Sequence, residues 1–280
     1  MENRILEEFI LRSLEEDLGD GDHTSLACIS PDATGKARLI IKEKGVLAGI
    51  RVIREAYPVI DRSLHLEIMT GDGTSVSPGD IVFYISGSQQ SILKSERLIL
   101  NILQRMSGIA SSTREYAEKL KGLRTEILDT RKTTPGMRFL EKEAVRIGGG
   151  FNHRMGLHDM IMIKDNHIDY SGGIENAVRK TRDYLLRNNL NLKVEIEARS
   201  LSDVSTILST GGVDRVMLDN FSIDDTRRAV EMISGGLETE SSGGINLSNI
   251  RAYAECGVDF VSVGALTHHI RSLDMSLKSV

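Results

Sequence analysis

The most constraining feature of this chain lies in its second half, where short apolar runs recur between helical stretches. The runs are EILD (126–129), MIMI (160–163), KVEIE (193–197), RVMLD (215–219), LETES (237–241) and DFVSV (259–263). Between them, IENAVRKTRDYLL and DDTRRAVEMI place apolar residues at helical spacing. Parallel strands need a crossover connection, so repeated β-α units imply a parallel sheet. The runs are fewer than the roughly eight strands of a closed barrel, and an incomplete or modified barrel fits them. A doubly wound dinucleotide fold has no motif behind it, because the chain carries neither a GxGxxG nor a P-loop.

The first part, to about Leu93, reads as a mixed α/β unit. Ile5, Leu6, Phe9, Ile10 and Leu14 recur at helical spacing, and ARLIIKEKG, LHLEIMT and DIVFYIS have strand character. From Lys94 to about Lys121 the pattern is helical, with Leu98, Leu100, Ile102, Leu103 and Met106 apolar. The SGIASS stretch around Gly108 predicts a bend or break in that helix.

A formal net charge of -5 disfavours nucleic-acid and anionic-membrane partners, which need a basic surface. Any bound anion must then be held by a local basic cluster. Cys28 and Cys256 lie far apart in the chain and form no CxxC pair, so a reducing cytoplasm is expected. The N-terminal apolar run is interrupted by acids, unlike a signal or transit peptide, and no apolar stretch is long enough to span a bilayer.

Charged residues gather where the strand-like runs end. Thr130, Arg131 and Lys132 follow the first run; Lys164, Asp165, Asn166 and His167 follow the second. Glu197 closes the third and Asp219 the fourth; Ser242 and Gly243 follow the fifth, and Gly264 the sixth. One polar residue at a strand end means little, but in an α/β barrel all these ends converge on one rim, where such folds build their sites.

The densest stretch runs from Asp129 to His167. Within it Arg138, Lys142 and Arg146, at i, i+4 spacing, are expected to form a solvated helix face. Arg131, Arg154 and Lys164 lie instead in tight loops beside strand ends. Several guanidinium forks in one pocket suit a ligand with more than one acidic group. His153, His158 and Asp159 lack the HExxH spacing of a zinc site and no cysteine joins them. Glu197 and Asp219 suit Mg²⁺ better, an ion commonly bound through one or two carboxylates plus substrate phosphates. SSGGI (241–245), ahead of a helix expected to start near Asn246 to Ser248, and Gly264 at the next strand end suggest a phosphate cradle.

On these residues the chain resembles the quinolinate phosphoribosyltransferases, also called nicotinate-nucleotide pyrophosphorylases (carboxylating). The resemblance runs through EEDLGDGDHTS, KGVLAG, SERLILNILQRMSGIA, DTRKTTPG, GGGFNHRMGL, IKDNH, VEIE, MLDN, ESSGGI and GVDFVSVGALTH, nearly the whole chain. It implies an N-terminal α/β sandwich domain (1–109), an open, TIM-like α/β barrel of about seven strands (110–266) and a C-terminal segment (267–280) returning to the first domain. It implies a homodimer with shared active sites, or a higher homo-oligomer. By similarity Arg131, His153, Arg154 and Lys164 would hold the quinolinate carboxylates, with Arg97 reaching in from the partner subunit. Lys132, Glu197 and Asp219 would face phosphoribosyl pyrophosphate and its Mg²⁺ as the catalytic set, and Ser242, Gly243 and Gly264 would hold its 5-phosphate. The sequence departs from the family pattern at Ser111, Glu143 and His269. Rival readings are a related phosphoribosyltransferase for another acid, and a barrel that senses an anionic metabolite without turnover.

Overall fold

The computed structural model describes residues 2–280, with side chains from Arg4 onward. Helices α1 (Glu2–Leu18) and α2 (His23–Cys28) lead into β1 (Thr34–Ile41), β2 (Gly45–Val46), α3 (Ile50–Ile60), β3 (His65–Ile68), β4 (Ser75–Val76) and β5 (Ile81–Ser88). The long α4 (Gln89–Lys119) follows. Then come β6 (Glu126–Leu128), α5 (Arg138–Gly148), β7 (Ile161–Ile163), α6 (Asp165–Ser171), α7 (Ile174–Arg187) and β8 (Val194–Ala198). The chain closes with α8 (Leu201–Thr210), β9 (Arg215–Asp219), α9 (Ile223–Ile233), β10 (Glu238–Ser242), α10 (Ile250–Glu255), β11 (Phe260–Ser262), α11 (Ala265–His268) and β12 (Met275–Ser279).

Two compact units result. One comprises residues 1–114, 135–149 and 270–280; the other comprises 115–134 and 150–269. The first is built on a four-stranded antiparallel sheet ordered β12-β1-β5-β3, in which the C-terminal strand pairs with β1. Leu39, Ile41, Phe83 and Ile85 alternate onto its buried face, and Tyr57 of α3 meets Phe83 edge-on at 6.2 Å. Three segments contribute to this unit, including α5, which the sequence order alone would place with the barrel helices.

Two expectations fail in this unit. Helix α4 runs unbroken through Gly108. The glycine is there for space, because a Cβ would collide with the carbonyl of Arg271. The neighbouring serines dock backbone: Ser107 Oγ accepts the Ala48 N–H at 2.9 Å and Ser111 Oγ the Val46 N–H at 2.7 Å. Nor do Arg138, Lys142 and Arg146 form one solvated face. Arg146 is exposed, but Lys142 is 1% exposed, beside the equally buried Glu141, which accepts from Arg105 Nε at 2.7 Å. Glu143, one of the departures from the family pattern, pairs with Arg51, whose Nε lies 2.7 Å from Glu143 Oε1.

The second unit is a six-stranded parallel sheet ordered β6-β11-β10-β9-β8-β7. Each sequence run supplies one strand. The seventh strand implied by the resemblance is reduced to a bridge, in which Phe151 pairs with Leu128 beyond β6. The barrel is therefore open between Phe151 and β7. Along β8 to β11 alternate residues face inward. The parallel register lines up Glu195 with Arg215, Arg215 with Glu238, Glu240 with Met217, and Ser242 with Asp219. Among the described residues, no helix is long and apolar enough to cross a membrane.

Candidate active site

A cavity of about 480 Å³ opens at the C-terminal ends of the parallel strands. Arg131, Lys132, His153, Arg154, Lys164, Glu197, Asp219 and Ser242 all line it, so residues from five separate strand ends converge as the sequence implied. Thr130, Met162, Asp165, Met217, Glu240 and Ser262 complete the lining. Arg97 is not part of it; it is exposed on α4, within the first unit.

The loop after β6 is fixed from below. Asp129, fully buried, accepts the His153 N–H at 2.9 Å and Asn152 Nδ2 at 2.5 Å, which ties DTRK to FNHR. Thr267 Oγ1 donates to the Lys132 carbonyl at 2.8 Å. Gly264 does not line the cavity. A Cβ there would lie 2.9 Å from Lys132 Cδ and 3.1 Å from the His268 ring, so the glycine makes room for Lys132. Gly243, with φ +92°, sits tightly against Asn220, the neighbour of Asp219. Beyond it the chain turns through Asn246 and Asn249 before α10 starts at Ile250, later than expected. The cradle, if it serves a phosphate, is therefore a loop and not a helix terminus.

The cations face one another. Burial and, next, the charge of Arg131 lower the pKa of Arg154, so the two guanidinium groups share a region that an anion would stabilise. Arg154 Nη1 is steadied by the Met160 carbonyl at 3.2 Å. Lys164 Nζ donates to Glu197 Oε1, and the Asp165 N–H reaches Glu197 Oε2 at 3.2 Å. In IKDNH the histidine is structural, since His167 Nδ1 accepts the Lys164 N–H at 2.9 Å. Burial and then the Glu197 charge raise the pKa of Asp219. Two neighbouring carboxylates, both presenting oxygen, form a fitting donor set for a hard divalent cation. His158 and Asp159 do not: Asp159 binds the Met155 and Gly156 N–H groups at 2.7 and 2.9 Å and staples the loop.

Beneath this rim lies a layer that the strand-end reading missed. Glu195 and Glu240 are both fully buried, and His153 Nε2 lies 2.9 Å from Glu195 and 3.3 Å from Glu240. Arg215 Nη1 binds Glu240 at 3.1 Å, while its Nε and Nη2 hold Glu238 at 3.1 and 3.0 Å. Burial and then Glu240 raise the Glu195 pKa to about 7. Burial is the largest single influence on Glu240 and would raise it as well, but the hydrogen bond and charge of His153, the Ser262 hydroxyl and the charge of Arg215 together outweigh it and hold the pKa low. For His153 burial opposes protonation, yet hydrogen bonds to the two carboxylates pull its pKa up to about 9. The signal for this layer was present in VEIE and ETES, where glutamates alternate with residues of the opposite strand face.

Comparison with known proteins gives the family and the fold. Models of the quinolinate phosphoribosyl transferase N-terminal and C-terminal domains match residues 22–107 and 109–278. The chain belongs to the quinolinate phosphoribosyltransferase family. It is 43% identical to the chloroplastic nicotinate-nucleotide pyrophosphorylase [carboxylating] of Arabidopsis thaliana, over 98% of this chain and 82% of that one. It is 39% identical to the probable nicotinate-nucleotide pyrophosphorylase [carboxylating] of Bacillus subtilis, over 98% of this chain and 92% of that one. The solved nicotinate-nucleotide pyrophosphorylase of Francisella tularensis superposes with a TM-score of 0.92 at 38% identity, covering 99% of this chain and 97% of that one.

Proposed function

We propose that this member of the quinolinate phosphoribosyltransferase family transfers a phosphoribosyl group from phosphoribosyl pyrophosphate to the ring nitrogen of quinolinate. The products are nicotinate mononucleotide, carbon dioxide and pyrophosphate, a step of de novo NAD biosynthesis. The observation that carries this reading is one cavity holding Arg131, Arg154 and Lys164 beside Glu197 and Asp219. A dianionic acid accounts for the first set, whereas binding an anion alone gives no reason for the second.

Arg131, Arg154 and Lys164 hold the two carboxylates and thereby aim the ring nitrogen at the anomeric carbon. As pyrophosphate leaves, the sugar gains oxocarbenium character, which Glu197 and Asp219 favour, and Lys132 offsets charge on the departing pyrophosphate. Ser242, which lines the cavity, is assigned to the 5-phosphate together with Gly243 and Gly264, which follow the family resemblance and are not among the lining residues. Mg²⁺, held by Glu197 and Asp219 together with substrate phosphates, would add Lewis-acid stabilisation of the pyrophosphate. Once ribosylated, the ring nitrogen is cationic and stabilises the carbanion formed as the adjacent carboxylate departs, so no further electron sink is required.

The chain is assigned to the cytoplasm and to a homodimer in which Arg97 completes the partner's pocket. The cytoplasm follows the cysteine pattern; the dimer follows the family resemblance and agrees with an Arg97 that is exposed on α4 and has no ion pair among the described residues. It is tested by mixing an Arg97→Ala chain with a Lys132→Ala chain: one intact site per mixed dimer should restore activity. No recovery, with mixed dimers confirmed by mass, would refute it. The reaction itself is tested by incubating purified protein with quinolinate, phosphoribosyl pyrophosphate and Mg²⁺ and measuring carbon dioxide release. Equal turnover of nicotinate, which has one carboxylate, would sink the assignment.

A further inference from the structure

A second cavity, of about 280 Å³, is lined by residues of β7, α6 and α7. It lies against the strand that ends the parallel sheet, at the open edge of the barrel. Ile161, Ile163 and Ala177 give it an apolar floor. Its polar lining is made of donors. His167 Nδ1 accepts the Lys164 N–H at 2.9 Å, so the ring carries its proton on Nε2. Lys180 adds an ammonium, whose Nζ meets the Ser171 carbonyl only at a long 3.3 Å. Thr181 and Tyr184 add hydroxyls, and among the described residues neither hydroxyl has a protein partner.

Among the described residues that line this cavity there is no carboxylate, although the chain carries a net charge of -5. Donors without acceptors suit an anion, and the floor favours an anion with an apolar body. Tyr184, 54% exposed, offers a face to a planar ring. The volume lies at the lower edge of the roughly 300–1,000 Å³ of ligand sites, so it takes a small acid and not a nucleotide.

Two residues tie this cavity to the active site. Met162 lines both. His167 lines one and holds the backbone of Lys164, which lines the other and donates to Glu197. Lys164 is also the N-cap of α6, and His167 closes the first turn of that helix. A ligand lying against Met162 and His167 therefore bears on the strand end that presents Lys164 to the substrate.

We propose that this cavity binds a small aromatic carboxylate and that its occupancy alters how the active site takes quinolinate. The site stands apart from the quinolinate reading, whereas the effect on quinolinate rests on it.

The probe is benzoate, one carboxylate on an unsubstituted ring. The chain is labelled with [methyl-¹³C]methionine, and the Met162 signal is assigned by its loss in Met162→Leu. Benzoate should shift that signal saturably. Lys180→Gln keeps the reach of the side chain and removes its charge; it should weaken the affinity about tenfold, the scale of one charge-assisted hydrogen bond. Without benzoate this variant should keep the quinolinate KM within about twofold of wild type. By linkage, saturating quinolinate should change the benzoate affinity by about twofold or more, and benzoate should move the quinolinate KM in the same direction. Absence of a saturable shift overturns the site. So does a shift that Lys180→Gln leaves untouched, the result expected if benzoate only competes in the cation-lined cavity. Binding that depends on Lys180 but is indifferent to quinolinate overturns the coupling. If the wild type turns over no quinolinate, the reaction reading fails, while the titration with its Lys180→Gln control still decides the cavity.

Discussion

Two pairs of carboxylates stand one inward step apart on the same parallel sheet. Glu197 and Asp219 sit at the cavity rim, and Glu195 and Glu240 lie beneath them without exposure. The residue type is the same, and Glu195 and Glu197 even share a strand face. Depth makes the difference. At the rim, charge remains available to a substrate or cation, and Lys164 bridges only part of it. In the buried layer every charge must find a protein partner, and Arg215 and His153 supply them. The rim can therefore do chemistry while the layer below fixes geometry.

Breaking the lower layer should give the largest effect, and on stability. Arg215→Met removes the cation opposite buried Glu240 and should cost about 3–5 kcal/mol, since it strands a charge in the interior. The deficit should shrink toward acid pH, where Glu240 can take up a proton. Denaturant titration at two pH values reads both; an unchanged midpoint would mean that the cluster carries little structural weight. Breaking the rim should do the reverse. Glu197→Ala or Asp219→Ala should lower kcat about 10²–10³-fold, the scale of one lost charge-stabilising group, while the fold stays cooperative. In the same spirit EDTA should abolish activity and leave Tm unchanged, because an ion held with substrate phosphates is no structural staple. Loss of the fold on chelation would break the contrast.

A smaller effect is expected from the cations that face the substrate. Arg131→Ala should weaken quinolinate binding by roughly 1.5–3 kcal/mol for each charge-assisted hydrogen bond removed. The change should appear in the quinolinate KM and not in that of phosphoribosyl pyrophosphate. Equal changes in both would show that Arg131 serves the whole cavity rather than one substrate.

The rim was legible in the sequence and the floor was not, for a physical reason. Strands end where polar residues begin, so Arg131, Lys164, Glu197 and Asp219 announce themselves at the ends of apolar runs. Glu195 lies inside such a run, where a charge reads as a blemish in the pattern until its partners Arg215 and His153 arrive from other strands and loops. Lys142 shows the same blindness: i, i+4 spacing identifies a helix stripe but not whether another segment covers it. Gly108 misleads in the opposite direction, since a helix breaker by propensity is retained for a close backbone approach that only the fold reveals. The open barrel was visible as repeated β-α units, whereas the reduction of its seventh strand to one bridge at Phe151 left no periodic signal.

The smallest expected effect sharpens the contrast most, because it makes a catalytic group visible as a cost to the fold. The pKa of Asp219 is raised in the folded chain, by burial first and then by Glu197. The folded state therefore binds its proton more tightly than the unfolded state does. By linkage, this residue's contribution to stability is favourable at low pH and declines as pH rises from its unfolded pKa through its raised folded value. At neutral pH the ionised Asp219 should be slightly destabilising. Asp219→Asn keeps an acceptor for the Asn220 amide, now 3.0 Å away, and removes the repulsion with Glu197. It should raise Tm by roughly 1–2 °C at pH 7, an increment reduced by solvent screening at the partly open rim. The gain should shrink as pH falls through the raised Asp219 pKa and the carboxyl takes up its proton, and saturating Mg²⁺ should stabilise the wild type more than the variant. Activity should fall nonetheless. A variant that loses activity and also loses Tm at neutral pH would place Asp219 with the buried layer and dissolve the distinction between rim and floor.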